Sequence, residues 1–408
     1  MAFSSLLASY GGGHALIISK VARSLASLGH EPTLLGLTTA RKIFCDSGFE
    51  PLALDDLVED STRQYYDVIR EFTAKEKHPD VTREETLAYF AIGFEDLVSK
   101  NGISEALSIL RGRGRFAFEP VKFMERFLER NSFDIIITTT SPRFELALLK
   151  AARNVGVPSL AIADMFLSDE IHYVTGEEYA DKVAVFCQEA GAELIEHGLD
   201  PEKVVVTGNP AFDYLAGISL SDVDKSKLKA LLGLPPTKKI VLIPLAPVSH
   251  SLEGLPFINI EMAVDLVERF QSQNPEYFFV VRAHPNVGLH TSSEHEWGIL
   301  DGGASFTLEN LLACCDQVLV ENSTVGLEAS LLGLDVICFG GFDKQVRYPL
   351  YGGARVAEDL EEALKLSLTS MPSRQVCRLN SPPLGKAADT VAKTAMDLHF
   401  KKLGLHDI

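Results

Sequence analysis

At about 150 residues per domain, the 408 residues admit two or three domains, and 46% hydrophobic with 23% charged residues is an ordinary globular composition that needs no disulfide staples. The formal net charge of −18 argues against a nucleic-acid-coating protein and against unaided binding to an anionic membrane. No apolar run approaches the ~18 residues of a membrane span. Residues 1–10 lack the charged start of a signal peptide. Cys45, Cys187, Cys314, Cys315, Cys338 and Cys377 show no CxxC or metal-ligand spacing, so they read as reduced thiols of a cytoplasmic protein.

The pattern alternates strand and helix from the start. Ser4–Ser9 is a strand candidate, followed by Gly11, Gly12 and Gly13 and by a helix with Ile17, Val21, Leu25 and Leu28 at helical spacing. Gly29 stops that helix and residues 32–37 form the next strand. This is a Rossmann-type strand, glycine loop, helix and strand unit. Residues 55–130 break the rhythm as a charged, aromatic and mostly helical insertion. Alternation resumes with strand 134–140, helix Phe144–Val155, and strands 158–163, 183–187 and 204–207. Residues 219–239 read as a polar linker plus helix 225–232. A second domain then begins with strand 240–245. It continues through helix 261–270, strand Tyr277–Arg282, helix Leu308–Cys314, strand 317–321, helix 325–332 and strand 336–339, and helix 386–401 closes the chain. The expected organisation is α/β: an N-terminal domain over 1–218, a C-terminal domain over 219–385 and a last helix in 386–408 that crosses back to the first domain.

Four stretches carry the chemistry. Gly11, Gly12 and Gly13 let a ligand approach the backbone, and His14 stands at the following helix start, suited to proton transfer or phosphate binding. A tight turn is the alternative reading. Arg282 and His284 end a strand, where open α/β sheets bind ligands; Arg282 pairs with either a phosphate or a neighbouring carboxylate. Ser323, Thr324 and Glu328 surround a helix start that suits a pyrophosphate, with Glu328 able to accept from both ribose hydroxyls and Gly326 keeping the helix surface low for a ligand. A Ser/Thr cap followed by a dipole-stabilised Glu explains the same residues. Thr207, Gly208 and Asn209 form either a structural turn or a ligand contact. Asp164 ends an apolar strand and reads as the catalytic base or the partner of His14, or equally as a helix cap. Arg111, Arg113 and Arg115 are a basic spot for a phosphate or a solvated turn, and residues 340–343 form a turn or a loop against a sugar.

Together these stretches resemble the GT-B superfamily of nucleotide-sugar enzymes. The glycine–histidine loop is similar to the opening of the bacterial N-acetylglucosaminyltransferase that makes lipid II. The Thr207–Gly208–Asn209, Arg282–His284 and Ser323–Glu328 stretches resemble segments of UDP-N-acetylglucosamine 2-epimerases and of capsule and teichoic-acid transferases. The resemblance implies two Rossmann-like parallel-sheet domains facing across a cleft. It makes Glu328 the ribose ligand, Ser323 and Thr324 diphosphate contacts, His284 a cleft residue and His14 an active-site residue. The chain departs from the epimerase pattern at its first glycine loop. It departs again after strand 240–245, where of the epimerase His-Arg-x-x-Asn segment only a histidine remains, with Ser249 and His250 left to meet a phosphate.

The main expectation is therefore a metal-independent, cytoplasmic glycosyltransferase of polysaccharide biosynthesis. It moves a sugar from a UDP-type nucleotide-diphosphate sugar to a sugar, lipid-linked or other hydroxyl acceptor, with His14 or Asp164 as base and no cofactor. Transient peripheral membrane contact is compatible with a lipid-linked acceptor. The Asp-x-Asp of Asp222 and Asp224 lies in the expected linker rather than at a strand end, in keeping with a site that uses no metal. Two alternatives stand beside it. One is a UDP-N-acetylglucosamine 2-epimerase-like enzyme or nucleotide-sugar hydrolase; the other is a non-catalytic sugar-nucleotide-binding protein.

Overall fold

The computed structural model describes residues 2–246, 258–284, 289, 291–303, 305–321, 323–340, 347–369 and 379–404. Two compact units emerge: Met1–Asp213 with Pro382–Ile408, and Tyr214–Ser381.

The first unit is built on seven strands: β1 (Ser4–Ser9), β2 (Glu31–Gly36), β3 (Leu52–Ala53), β4 (Ile135–Thr139), β5 (Ser159–Ile162), β6 (Lys182–Val185) and β7 (Val204–Val206). They lie in the order β3-β2-β1-β4-β5-β6-β7 and every pairing is parallel. Successive side chains of a strand face opposite ways, and β1 uses both faces. Leu6 and Ala8 join the core beneath the helical insertion, while Leu7 joins the core beneath helix Gly12–Ser27. A strand buried on both sides reads as a continuous apolar run rather than an alternating one, as parallel sheets covered by helices require.

The insertion is helical: Asp60–Arg63, Tyr66–Thr73, Arg83–Asn101, Ile103–Arg113 and Val121–Arg130. Thr82 starts its longest helix with a capping box. The Thr82 hydroxyl accepts from Glu85 N at 3.1 Å, and the Glu85 carboxylate accepts from Thr82 N at 2.8 Å. Phe90 and Phe94 then fall into the core, and Phe118 packs so close that a Cβ on Gly93 would lie 2.3 Å from its ring. On the opposite face, helix Ala387–Lys402 lays Val391, Ala392 and Ala395 on the core of helix Gly12–Ser27. The two Asp213 carboxylate oxygens accept from Ala387 N and Ala388 N, each at 2.9 Å, and so satisfy the start of that helix.

The second unit carries β8 (Lys239–Pro244), β9 (Tyr277–Arg282), β10 (Ser293–His295), β11 (Gly298–Asp301), β12 (Gln317–Val320), β13 (Asp335–Cys338) and β14 (Arg355–Val356). Their order is β10-β11-β9-β8-β12-β13-β14, parallel except for the antiparallel β10–β11 pair. Val241, Ile243, Phe279, Val281, Leu319 and Ile337 pack on Ala263 and Val267 of helix Ile260–Gln273.

One expectation needs correction here. The helix expected at 225–232 spans Asp222–Leu231, because Ser221 caps it through the N–H of Asp224 at 3.2 Å. Asp222 and Asp224 therefore sit in a helical first turn, where the dipole favours carboxylates, and not in a linker.

Candidate active site

In both sheets the chain reverses direction beside the first strand. β1 lies between β2 and β4, and β8 between β9 and β12. Ligands of open α/β sheets bind outside the carboxyl ends of strands at such switch points. In the first unit that place holds the residues after β1, β4 and β5. Gly12 takes a left-handed φ of 59°, and a Cβ on Gly11 would collide with the Thr39 hydroxyl at 1.9 Å. The loop therefore needs its first two glycines to turn His14 into the first turn of helix Gly12–Ser27.

His14 and Asp164 meet. His14 Nε2 lies 3.1 Å from Asp164 Oδ2, and both side chains are 28% exposed. On the other side of the ring, Nδ1 lies 2.6 Å from Thr139 Oγ1 and 3.1 Å from Ser141 Oγ. Thr139 in turn donates to Glu145 Oε2 at 2.6 Å, and Glu145 Oε1 accepts from Tyr10 N at 3.1 Å. A hydroxyl has one proton to give. With Thr139 donating to Glu145, it accepts from His14 Nδ1, while Nε2 donates to Asp164. Both ring nitrogens then carry protons. The electrostatics agree: burial pulls the His14 pKa down, but the Asp164 hydrogen bond and charge, joined by the charges of Glu145 and Glu170, raise it to about 9. Burial works against the Asp164 carboxylate, yet the His14 hydrogen bond and charge and two backbone N–H groups hold its pKa below the usual value. Burial pushes Glu145 up, opposed by His14 and its hydroxyl partners. Burial also raises Glu170, whose Oε2 is buried without a hydrogen-bond partner. Asn209 Nδ2 donates to the Asp164 carbonyl at 2.8 Å, so the Thr207–Gly208–Asn209 stretch supports the turn that presents Asp164.

Sequence reasoning missed Thr139, Ser141, Glu145 and Glu170. The signal for the first two was present: a run of hydroxyls, Thr138 to Ser141, ends β4 and runs into Pro142. Glu145 sits on the buried face of helix Phe144–Val155, where only the tertiary fold reveals a carboxylate.

In the second unit, Ser323 and Glu328 follow β12. Ser323 caps helix Thr324–Leu331 by accepting from Val325 N at 3.3 Å, and Thr324 opens that helix. Glu328 is buried and accepts at Oε2 from the Tyr214 hydroxyl, whose pKa is raised first by burial and then by the Glu328 charge. The expectation that Gly326 leaves room for a ligand is corrected. A Cβ there would lie 1.9 Å from the Tyr348 hydroxyl, so this side of the helix is filled by protein. Arg282 Nη1 binds buried Asp301 Oδ2 at 3.0 Å and the Phe306 carbonyl at 2.9 Å, taking the carboxylate rather than a phosphate as its partner. His284 lies two residues beyond β9, partly exposed. Ser249, His250 and residues 341–343 lie outside the described residues. Arg111 and Arg115 pair loosely with Glu71 at 3.7 Å and Glu76 at 3.6 Å on exposed surface. Among the described residues, no group of three His, Cys, Asp or Glu side chains is arranged to hold a metal ion.

No family model matches this chain, and no curated protein matches it by sequence. Solved structures do match over its whole length. S. aureus MnaA in complex with UDP superposes with a TM-score of 0.59 at 14% identity, covering 100% of this chain and 98% of that one. The UDP-GlcNAc 2-epimerase of Neisseria meningitidis bound to UDP-GlcNAc gives 0.59 at 14%, covering 97% and 100%. The UDP-GlcNAc 2-epimerase of Methanocaldococcus jannaschii gives 0.57 at 14%, again covering 97% and 100%. These likenesses show the α/β fold of GT-B type. They also correct the main functional expectation of a glycosyltransferase, because many of the whole-length structural neighbours are UDP-GlcNAc 2-epimerases. Of the departures that favoured sugar transfer, the glycine stretch lies in the loop after β1, the part of a fold that varies most readily on an unchanged scaffold, and residues 247–254 lie outside the described residues.

Proposed function

We propose that this chain is a nucleotide-sugar enzyme that acts on a UDP-sugar alone, in the manner of a 2-epimerase. The observation that carries this reading is the cluster after β1, β4 and β5. An ionised carboxylate, Asp164, shares a proton-rich histidine with two carboxyls of raised pKa, Glu145 and Glu170. Inverting a C–H stereocentre requires a proton to leave one face and another to arrive on the opposite face. A base and an acid with pKa values pushed apart meet that requirement. Asp164 is the base that takes the C2 proton as the C1–O bond to the diphosphate breaks. The diphosphate then adds back to C1 while a proton returns to the opposite face of C2, and the His14 imidazolium, hydrogen-bonded towards Thr139 and Glu145, is the proton reservoir for that return. In the second unit, Ser323, Thr324 and the N–H groups of helix Thr324–Leu331 suit a diphosphate, and Glu328, oriented by Tyr214, suits a ribose. The likeness to UDP-bound and UDP-GlcNAc-bound structures supports the choice of nucleotide.

The test is to incubate the protein with UDP-GlcNAc in D2O without acceptor and to follow the sugar by NMR. The expected result is a C2 epimer carrying deuterium at C2, with Asp164→Asn and His14→Asn each slowing turnover by about 10²–10⁴. Release of free sugar without deuterium would make the protein a hydrolase. An unchanged substrate that also fails to raise the melting temperature would remove the reading altogether.

A further inference from the structure

A cavity of about 490 Å³ opens in the first unit between the carboxyl ends of β1 and β2 and the helical insertion, and Ser141 forms part of its wall. Ser141 also touches His14, so the cavity adjoins the proposed catalytic cluster without including His14 or Asp164.

Arg143 dominates that wall. Among the described residues it is the one non-glycine with a positive φ, 67°. A bulky side chain rarely adopts that conformation, and such outliers gather where a ligand is held. The twist delivers the guanidinium between two rings, 5.0 Å from the centre of Tyr10 and 5.7 Å from that of Phe116. Its Nε points at the Tyr10 hydroxyl at 3.4 Å, and it forms no ion pair among the described residues. Glu76 and Glu85 also line the cavity and the Glu145 charge acts on Arg143, yet among the described residues none of the three forms an ion pair with it, although the chain holds 56 carboxylates against 38 Lys and Arg. Arg115 adds a second guanidinium to the same cavity, 3.6 Å from Glu76 and 6.0 Å from the centre of the Phe116 ring.

A guanidinium held over aromatic rings and by the Tyr10 hydroxyl has its planar fork of N–H donors oriented, and that fork matches the two oxygens of a carboxylate or phosphate. The geometry points to this cavity as a binding site for a small-molecule oxyanion, a carboxylate or phosphate ester carried on a compact polar body. Arg143 is its principal ligand and Arg115 an auxiliary one. This goes beyond the proposed reaction and does not depend on it: the nucleotide is assigned to Glu328 and its helix in the other unit.

The test is a thermal-shift and calorimetric titration of the full-length protein with inorganic phosphate, glucose 6-phosphate, glucuronate and, as the uncharged control, glucose. At 150 mM NaCl the expected result is stabilisation by at least one anion and none by glucose, with the better of glucose 6-phosphate and glucuronate naming the natural group as phosphate or carboxylate. Arg143→Gln should weaken that binding by a factor of ten or more. Arg143→Gly should also abolish it while raising the melting temperature of the ligand-free protein, because glycine takes the 67° φ without strain. The far-UV circular dichroism spectrum and a cooperative melt supply the folding control, since both variants should match the parent in these. Anions that leave the parent unchanged, or that stabilise Arg143→Gln equally, would overturn the assignment, whatever the outcome with UDP-GlcNAc.

Discussion

His14 is surrounded by groups that favour its charged form, and that has a consequence for stability. Its pKa in the folded chain, about 9, lies above the usual 6.5. A raised histidine pKa contributes stability that is complete below the unfolded value and is lost as pH rises through the folded one. The contribution is on the order of 3 kcal/mol. Asp164→Asn removes the main partner, so the stability gap between parent and variant should be full near pH 6 and close between pH 6.5 and about 9. Urea midpoints at pH 6, 7.5 and 9.5 read this directly; a gap that does not narrow means the imidazolium is not what the carboxylate stabilises. Arg143 illustrates the opposite balance, since a residue held in a disfavoured backbone region costs of order 1–3 kcal/mol.

At the scale of elements, the carboxyl ends of neighbouring strands are tied by polar side chains. In the second unit, Asp301 at the end of β11 is fully buried and takes Arg282 from β9, Ser292 Oγ at 3.0 Å and Gly303 N at 3.0 Å. Removing one partner of a buried pair leaves an uncompensated charge. Arg282→Met should therefore destabilise the protein by about 3–5 kcal/mol, and adding Asp301→Leu should restore much of the loss. A chemical-denaturation cycle measures both. A loss below about 1 kcal/mol would mean that Arg282 is free enough to serve a ligand instead. In the first unit the insertion covers one face of the sheet, and contact is closest where Gly93 faces Phe118. Gly93→Ala should accordingly cost about 1–3 kcal/mol by overpacking, despite the better helix propensity of alanine.

For the whole molecule, the excess of 18 negative charges dominates. Among the described residues, exposed ion pairs such as Lys42–Asp46 and Arg70–Asp67 contribute little. Self-repulsion of the net charge is long-ranged and is screened within about 10 Å at 0.1 M salt. Raising NaCl from 10 to 200 mM should raise the melting temperature. A fall would show that the attractive pairs outweigh the repulsion.

The alternating pattern of apolar runs and glycine stops was legible in the sequence because each central element carries its own period. Helix Phe144–Val155, strand Tyr277–Arg282 and helix Leu308–Cys314 have the bounds their patterns predict. Elements such as β3, β10 and β14 are two or three residues long, too short for any period to show. The glycine loop, His14 and Asp164 could be picked out singly, since each follows an apolar strand. That His14 and Asp164 touch, and that Thr139 and Glu145 complete the relay, depended on the order β1-β4-β5 within the sheet, which brings together residues 125 and more positions apart. Local sequence determines strand, turn and helix through hydrogen bonding and burial along the chain. Only tertiary structure decided which strand ends became neighbours, that Arg282 was spent on Asp301, and that Arg143 was turned towards a cavity without forming an ion pair there.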